Sequence, residues 1–178
     1  MKFDNYTIRL LSNEDLEMYF QLIERNRKRL EDGFAGTVSR TLTLESTQLF
    51  VAERVSKIIE KTYFPFIVVD NGINTIVGFI DVKNIEWNIP KGELGCYVDA
   101  EYAGKGLSTR ALQMVTDYCF KELGFRKLFL RTQESNTSAR RIAEKCGFEI
   151  EGKIRQDYKT FSGQIVDLLY YGKLSKNV

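Results

Sequence analysis

Residues 92–112, GELGCYVDAEYAGKGLSTRAL, constrain this chain more than any other stretch. An apolar strand runs into a short acidic turn, and glycines then open a helix. That order aims the unpaired N–H groups of a first helical turn, and the positive end of the helix dipole, at one point, which suits a phosphate or pyrophosphate. The loop Ala103-Gly104-Lys105-Gly106-Leu107-Ser108 has neither the GxGxxG of a dinucleotide fold nor the GxxxxGK[ST] of a nucleotide P-loop. A phosphorylated cofactor of another kind is one reading. A tight turn whose glycines avoid a Cβ clash is the other.

Composition narrows the classes. At 178 residues the chain reads as one domain that buries roughly two thirds of its unfolded surface. Lys and Arg number 26 against 24 Asp and Glu, a net charge of +2, so no electrostatic case exists for a nucleic-acid partner. The basic clusters Arg25 to Arg29 and Arg140-Arg141 read as solvated helix faces. The N-terminus MKFDNYTIRLL lacks the apolar core of a signal peptide, and no run approaches the roughly 20 apolar residues of a membrane span. A cytoplasmic protein without a membrane partner is the expectation. Cys96, Cys119 and Cys146 are scattered without CxxC spacing and read as reduced, buried thiols. The chain has no histidine, which removes Ser-His-Asp and Cys-His catalysis and most zinc chemistry. No metal is expected, and proton transfer falls to carboxylates, Tyr, Cys, Lys or water.

Periodicity orders the rest. Residues 6–11 read as a strand, and Ser12 with Asp15 as a capping-box-like start to a helix burying Leu16, Phe20, Ile23 and Leu30. An irregular stretch with Gly33 and Gly36 precedes a helix over 44–61 with Leu49, Ala52, Val55 and Ile59 at helical spacing. Strands over 64–70, 75–85 and 93–99 follow, the first two joined at Asn71-Gly72. A helix over roughly 105–123 buries Ala111, Leu112, Val115, Cys119 and Leu123, and 126–132 is a strand. Asn136 caps a helix ending at Cys146 with Gly147 behind it, and 148–160 with 164–174 form a hairpin around Ser162-Gly163. The fold class is α/β (α+β): a mixed, mostly antiparallel sheet with helices on both faces. Its ligand site lies beyond the carboxyl ends of the parallel strands, where Asp99 to Gly106 fall.

Three linked segments, ELGCYVD, AGKGLST and NTSARRIAEKCGFEIEG, together with the opening TIRLLSNEDLEMYFQLI, resemble the GCN5-related N-acetyltransferases (GNAT). The start IRLL, the segment GELGCYV and the ending EGKIRQDYKTFSGQIVDLLYYGKL look most like the ribosomal-protein N-terminal acetyltransferase (RimJ/RimL-type) branch. The resemblance implies acetyl-CoA as donor and a primary amine as acceptor, in a single acetyltransferase domain over the whole chain. It implies that the pyrophosphate rests on amides of Ala103, Gly104, Lys105, Gly106, Leu107, Ser108 and Thr109, that the pantetheine runs beside Cys96, Tyr97 and Val98, and that Asn136 reaches that arm. The chain departs from the family pattern at Ala103, where Gln or Arg is usual, and at Ser108, where Gly or Ala is usual. The branch's serine falls at Ala139, another branch's tyrosine at Ala143, and a carboxylate position at Tyr158 beside Asp157.

Direct transfer needs a neutral amine. With a pKa of ~7.8 an α-amino group is about 14% neutral at pH 7, while a lysine at ~10.4 is about 0.04% neutral. A lightly equipped site therefore favours N-termini. Strand alternation puts Glu93, Gly95 and Tyr97 on one face and Leu94, Cys96 and Val98 on the other. Glu93 is the candidate base, through water, or else a strand-entry charge. Tyr158 is the candidate acid for the leaving thiolate, or else an exposed hairpin tyrosine. Asp157 points oppositely unless a bulge intervenes, and Ser138 faces differently on its helix from the usual serine. Backbone amides where the Cys96 to Val98 strand leaves its neighbour are placed for an oxyanion. Acetyl carriage on Cys96 lacks a nearby base or cation. Three readings follow: an acetyltransferase of a protein or peptide N-terminus such as that of a ribosomal protein, a small-molecule amine acetyltransferase, or a non-catalytic acyl-CoA sensor. The chain acts as a monomer or homodimer in each.

Overall fold

A computed structural model describes residues 1–176. The chain opens with a two-residue strand β1 (Lys2–Phe3) paired to β2 (Tyr6–Leu10), and a single 3-10 turn leads into α1 (Leu16–Leu30). The stretch expected to be irregular contains a short helix, α2 (Ala35–Arg40), before α3 (Leu44–Ile59). Then come β3 (Phe64–Asp70), β4 (Thr75–Glu86), β5 (Lys91–Val98), α4 (Leu107–Lys121), β6 (Lys127–Thr132), α5 (Thr137–Lys145), β7 (Glu149–Lys159) and β8 (Ile165–Leu174). One eight-stranded sheet in the order β1-β2-β3-β4-β5-β6-β8-β7 joins them, and only β5 and β6 are parallel. The mixed, mostly antiparallel sheet with helices on both faces is as the sequence implied.

Alternation along β4 and β5 builds two cores. Ile80, Val82, Leu94 and Val98 pack with Ala111, Leu112, Val115 and Cys119 of α4, and with Ala143 of α5. Phe79 and Tyr97 face the other way, into Tyr19, Leu22 and Ile23 of α1 and Phe50 and Val51 of α3. The helical faces in this second core agree with expectation at Leu16, Ile23, Leu30 and Val55 and differ at Leu49 and Ile59. In α3 the inward residues are Thr47, Phe50 and Val51, whereas Leu49 is 71% and Ile59 86% exposed. Two rows one position apart both satisfy a 3.6-residue repeat, and the bulkier Phe50, stacked on Tyr19, wins the interior. In α1 the expected Ile23 and Leu30 are buried, joined by Tyr19, Leu22 and Asn26, while Phe20 lies at the margin.

The arginines of α1 are not merely solvated. Arg25 Nε donates to Asp99 Oδ2 at 2.8 Å. Arg27 donates to the carbonyls of Val38 and Thr41 at 3.2 and 2.6 Å, and Arg29 to that of Val98 at 3.4 Å. The guanidinium groups thus tie the last turns of α1 to the end of β5 and to the C-terminal end of α2.

The start of α1 is pinned as its sequence suggests. Asp15 Oδ2 accepts from the Ser12 N–H and hydroxyl, both at 2.8 Å, and the carboxylate takes a two-pronged bond from Arg9 at 2.7 and 2.6 Å. Burial alone would raise the Asp15 carboxyl, but the bonds from Arg9 and Ser12 outweigh it and hold it below the usual carboxylate range. A carboxyl depressed in the folded state contributes stability that is present above its unfolded value, roughly pH 4, and lost as pH falls through the folded value. Asp15→Asn should cost about 1–3 kcal/mol at neutral pH and flatten the acid limb of stability, read by urea unfolding from about pH 2 to 7.

Candidate active site

β5 and β6 pair only over Lys91–Glu93 against Lys127–Phe129. Beyond that β6 follows β8, with Leu130 opposite Tyr171 and Thr132 opposite Leu169. β5 follows β4, with Leu94 opposite Val82 and Val98 opposite Gly78. Residues 94–98 thus keep one edge paired to β4 and have no strand paired to the other among the described residues, apart from the bond that Arg29 makes to the Val98 carbonyl. Cys96, Tyr97 and Val98 border this opening through their backbone. The Tyr97 ring turns into the α1 core, 4.8 Å from Phe34 and 5.5 Å from Phe79. The Cys96 thiol faces α4 and α5, and burial pushes it up to about 12. It stays a thiol at neutral pH and is no nucleophile.

The bare edge leads to Asp99, fixed by Arg25, then a 3-10 turn at Ala100–Tyr102 and the glycine loop. The Ala103 N–H donates to Ala100 O and the Arg110 N–H to Gly106 O, both at 3.1 Å. Between them the amides of Gly104, Lys105, Gly106, Leu107, Ser108 and Thr109 donate to no backbone carbonyl among the described residues. Gly104 and Gly106 have φ of 76° and 84°, and a Cβ at either would meet no atom within 4 Å. Their glycines answer a backbone requirement and leave the space before the amides open. Ala103 differs from its neighbours in having spent its N–H. Asn136 begins α5 directly after β6, its Oδ1 accepting from the Ala139 N–H at 3.0 Å.

The opposite face carries polar chemistry in an apolar setting. Phe79, Asp81 and Lys83 of β4 lie across from Tyr97, Gly95 and Glu93 of β5. Asp81 and Glu93 are each 5% exposed. Glu93 Oε2 accepts from Asn84 Nδ2 at 2.6 Å and Arg131 at 2.9 Å, while its Oε1 has only Lys83 Nζ, 4.0 Å away. Asp81 Oδ2 accepts from the Tyr63 hydroxyl, and its Oδ1 is buried with no hydrogen-bond partner, 3.5 Å from the same Lys83 nitrogen. Gly95 makes this possible: a Cβ there would overlap Asp81 Oδ1 and come within 3.0 Å of Lys83 Nζ and 3.2 Å of Phe34.

Tyr158 and Asp157 join this face from the hairpin. β7 breaks register between Ile154 and Tyr158, with Gln156 at φ 54°. The bulge cancels the alternation, so the Asp157 carboxylate meets Arg131 at 2.9 Å and the Tyr158 hydroxyl accepts from the Ala35 N–H, also at 2.9 Å. The Phe161 N–H donates to Glu31 O at 3.2 Å, so the hairpin straps the segment between α1 and α2. Ser138 is exposed on the first turn of α5.

Arg131 ties Glu93 to Asp157, so three elements converge on one guanidinium. Sequence reasoning missed Arg131, Asp81, Lys83, Asn84 and Tyr63. One signal was present: Asp81 and Lys83, two apart in an apolar run, share a face and interrupt it. Among the described residues no cluster of three or more His, Cys, Asp or Glu is placed to hold a metal ion, and no helix is long and apolar enough to cross a membrane.

A family model described as an acetyltransferase (GNAT) domain matches residues 5–149. The chain belongs to this family. As a GNAT protein it is an acetyl-CoA-dependent N-acetyltransferase. It is 30% identical to the Bacillus subtilis (strain 168) protein named "Putative ribosomal N-acetyltransferase YdaF", over 97% of this chain and 93% of that one. It is 33% identical to spermidine N(1)-acetyltransferase of Escherichia coli (strain K12), over 46% of this chain and 44% of that one. The solved structure of RimL, a ribosomal L7/L12 alpha-N-protein acetyltransferase in complex with coenzyme A, superposes with a TM-score of 0.88 at 17% identity, covering 97% of this chain and 95% of that one. In this GNAT chain Gly95→Ala should force Asp81 and Lys83 apart. Acetyl transfer should fall at least about tenfold while the far-ultraviolet circular dichroism is kept.

Proposed function

We propose that this enzyme acetylates the α-amino group of a protein or peptide N-terminus, of the kind a ribosomal protein presents. Acetyl-CoA would lie with its pyrophosphate on the amides of residues 104–109, its pantetheine along the bare edge of residues 94–98, and Asn136 against that arm. The acceptor would approach from the face of Gly95, so that the two substrates meet through the gap between β5 and β6.

One observation carries the choice of amine. The carboxylates of the face are each half engaged: Glu93 Oε2 is occupied by Arg131 and Asn84 and Asp81 Oδ2 by Tyr63, which leaves Glu93 Oε1 and the buried Asp81 Oδ1, both beside Lys83, to take a proton. Such a site deprotonates weakly, and an α-amine brings several hundred times more neutral form than a lysine at pH 7. The nitrogen attacks the thioester carbonyl, the carbon–sulfur bond breaks, and the thiolate takes its proton from the Tyr158 phenol. That phenol has its oxygen held by the Ala35 N–H and keeps its own proton to give. Proximity and backbone polarisation supply most of the acceleration. The near full-length relative named for ribosomal acetylation supports this reading, and RimL, an alpha-N-protein acetyltransferase, shares the fold. A small-molecule reading is favoured by the spermidine enzyme, whose match covers less than half of this chain.

A panel of peptides with free or blocked N-termini, assayed by release of coenzyme A, tests the choice. Turnover should need the free α-amine and ignore internal lysines, and turnover of polyamines alone would overturn it. Tyr158→Phe should lower kcat by about 10- to 100-fold with KM little changed. Gly106→Val, strained at a positive φ and projecting into the open space before the amides, should weaken coenzyme A binding at least tenfold by calorimetry. Unchanged binding would remove the loop from the cofactor site.

A further inference from the structure

Lys83 is the unused cation of the acceptor face. Its nitrogen stands 3.5 Å from Asp81 Oδ1 and 4.0 Å from Glu93 Oε1, the two carboxylate oxygens there that accept no hydrogen bond. It also lies 5.7 Å from the centroid of the Phe34 ring. Two carboxylates and an aromatic face form the set of partners that a substrate ammonium would seek. Neither oxygen is gripped at hydrogen-bond distance, and the lysine side chain remains 30% exposed.

Asp81, Glu93 and Asp157 are met by two cations, Lys83 and Arg131. Arg131 is locked between Glu93 and Asp157, and Arg54 is stacked on Tyr63, 4.2 Å from its ring centroid. Of the two cations paired with these carboxylates, Arg131 donates hydrogen bonds to Glu93 and Asp157, whereas Lys83 makes none. Without it Arg131 alone would face three carboxylates, and the buried, unpartnered Asp81 oxygen would have no cation beside it. A polycation binds by charge, whereas an α-amine reacts as the neutral base and needs only an acceptor for its proton.

We infer that Lys83 is a specificity-determining residue, a built-in ammonium that occupies the cation subsite between Asp81 and Glu93 and turns polyamines away from the acceptor face. The inference rests on the acceptor reading above, and it deepens that reading by saying what excludes the alternative substrate class. A second positive charge within several Å of Lys83, at the effective permittivity of such a site, is disfavoured by roughly tenfold or more in affinity.

The test uses the full-length wild type, Lys83→Met and Lys83→Arg, each loaded with coenzyme A. Spermidine binding is read by calorimetry, and the ratio of kcat/KM for spermidine to that for an N-terminal peptide is read by coenzyme A release. Lys83→Met should bind spermidine at least about tenfold more tightly, lose that gain in high salt, and raise the ratio through a lower spermidine KM. Lys83→Arg, which keeps the charge, should match the wild type in both readouts. A folded Lys83→Met that binds spermidine no better than the wild type overturns the inference. So does an equal gain in Lys83→Arg, which would mark the effect as steric. If Lys83→Met does not fold, Lys83→Gln takes its place under the same criteria. Binding needs no turnover, so a wild type inactive on every peptide would defeat the acceptor reading while the spermidine comparison still decides the role of Lys83.

Discussion

The parallel pairing of β5 with β6 covers three residues on each strand and then stops, and the bare strand edge, the glycine loop and the buried charges of the sheet are arranged around that stop. Strands that part in mid-sheet expose a row of main-chain donors and acceptors, normally a liability. Here the bare edge of residues 94–98 runs straight into the unsatisfied amides at the head of α4. An extended thioester with an anionic tail can use both, first as a strand and then as a capping anion. Two core clusters, one on each side of the sheet, hold the strands apart rigidly enough for this to persist.

Electrostatics on the Gly95 face of the sheet follow from the same divergence. Once β6 turns away from β5, the space between them on the α1 side is filled by Arg131, which reaches Glu93 on one side and Asp157 on the other. A charge taken out of water must be paired, and the guanidinium fork satisfies two carboxylates from different strands at once. Tyr63 and Lys83 do the corresponding service for Asp81, less completely. Asp81 Oδ1 is left without a hydrogen bond beside Gly95, and the Arg131 Nε is likewise unpartnered.

Local signals are legible where chemistry and backbone agree. The capping box at Ser12 and Asp15, the Asn136 cap, the glycine behind Cys146 and the turn at Ser162-Gly163 are all properties of a few adjacent residues, and each stands where the sequence put it. Helix faces are less legible. The row Leu49, Ala52, Val55, Ile59 has the right period, but period alone cannot choose between it and the row Thr47, Phe50, Val51, Arg54, because the choice depends on which side chain fits against Tyr19. The short helix α2 is equally hidden, since its six residues AGTVSR carry no strong cap or stripe and are held by the hairpin through Tyr158.

By itself, the order of residues determined the family, the mixed sheet, the glycine-led start of α4 and the absence of any imidazole chemistry, because each depends on neighbours along the chain or on composition. The tertiary structure alone decided which charges meet. Glu93, Asn84, Arg131 and Asp157 come from four strands or their bends, and Asp81 touches Lys83 over a glycine on a different strand. Pairing energies of that kind depend on distance and burial, and neither exists until strand register and the β7 bulge have fixed them.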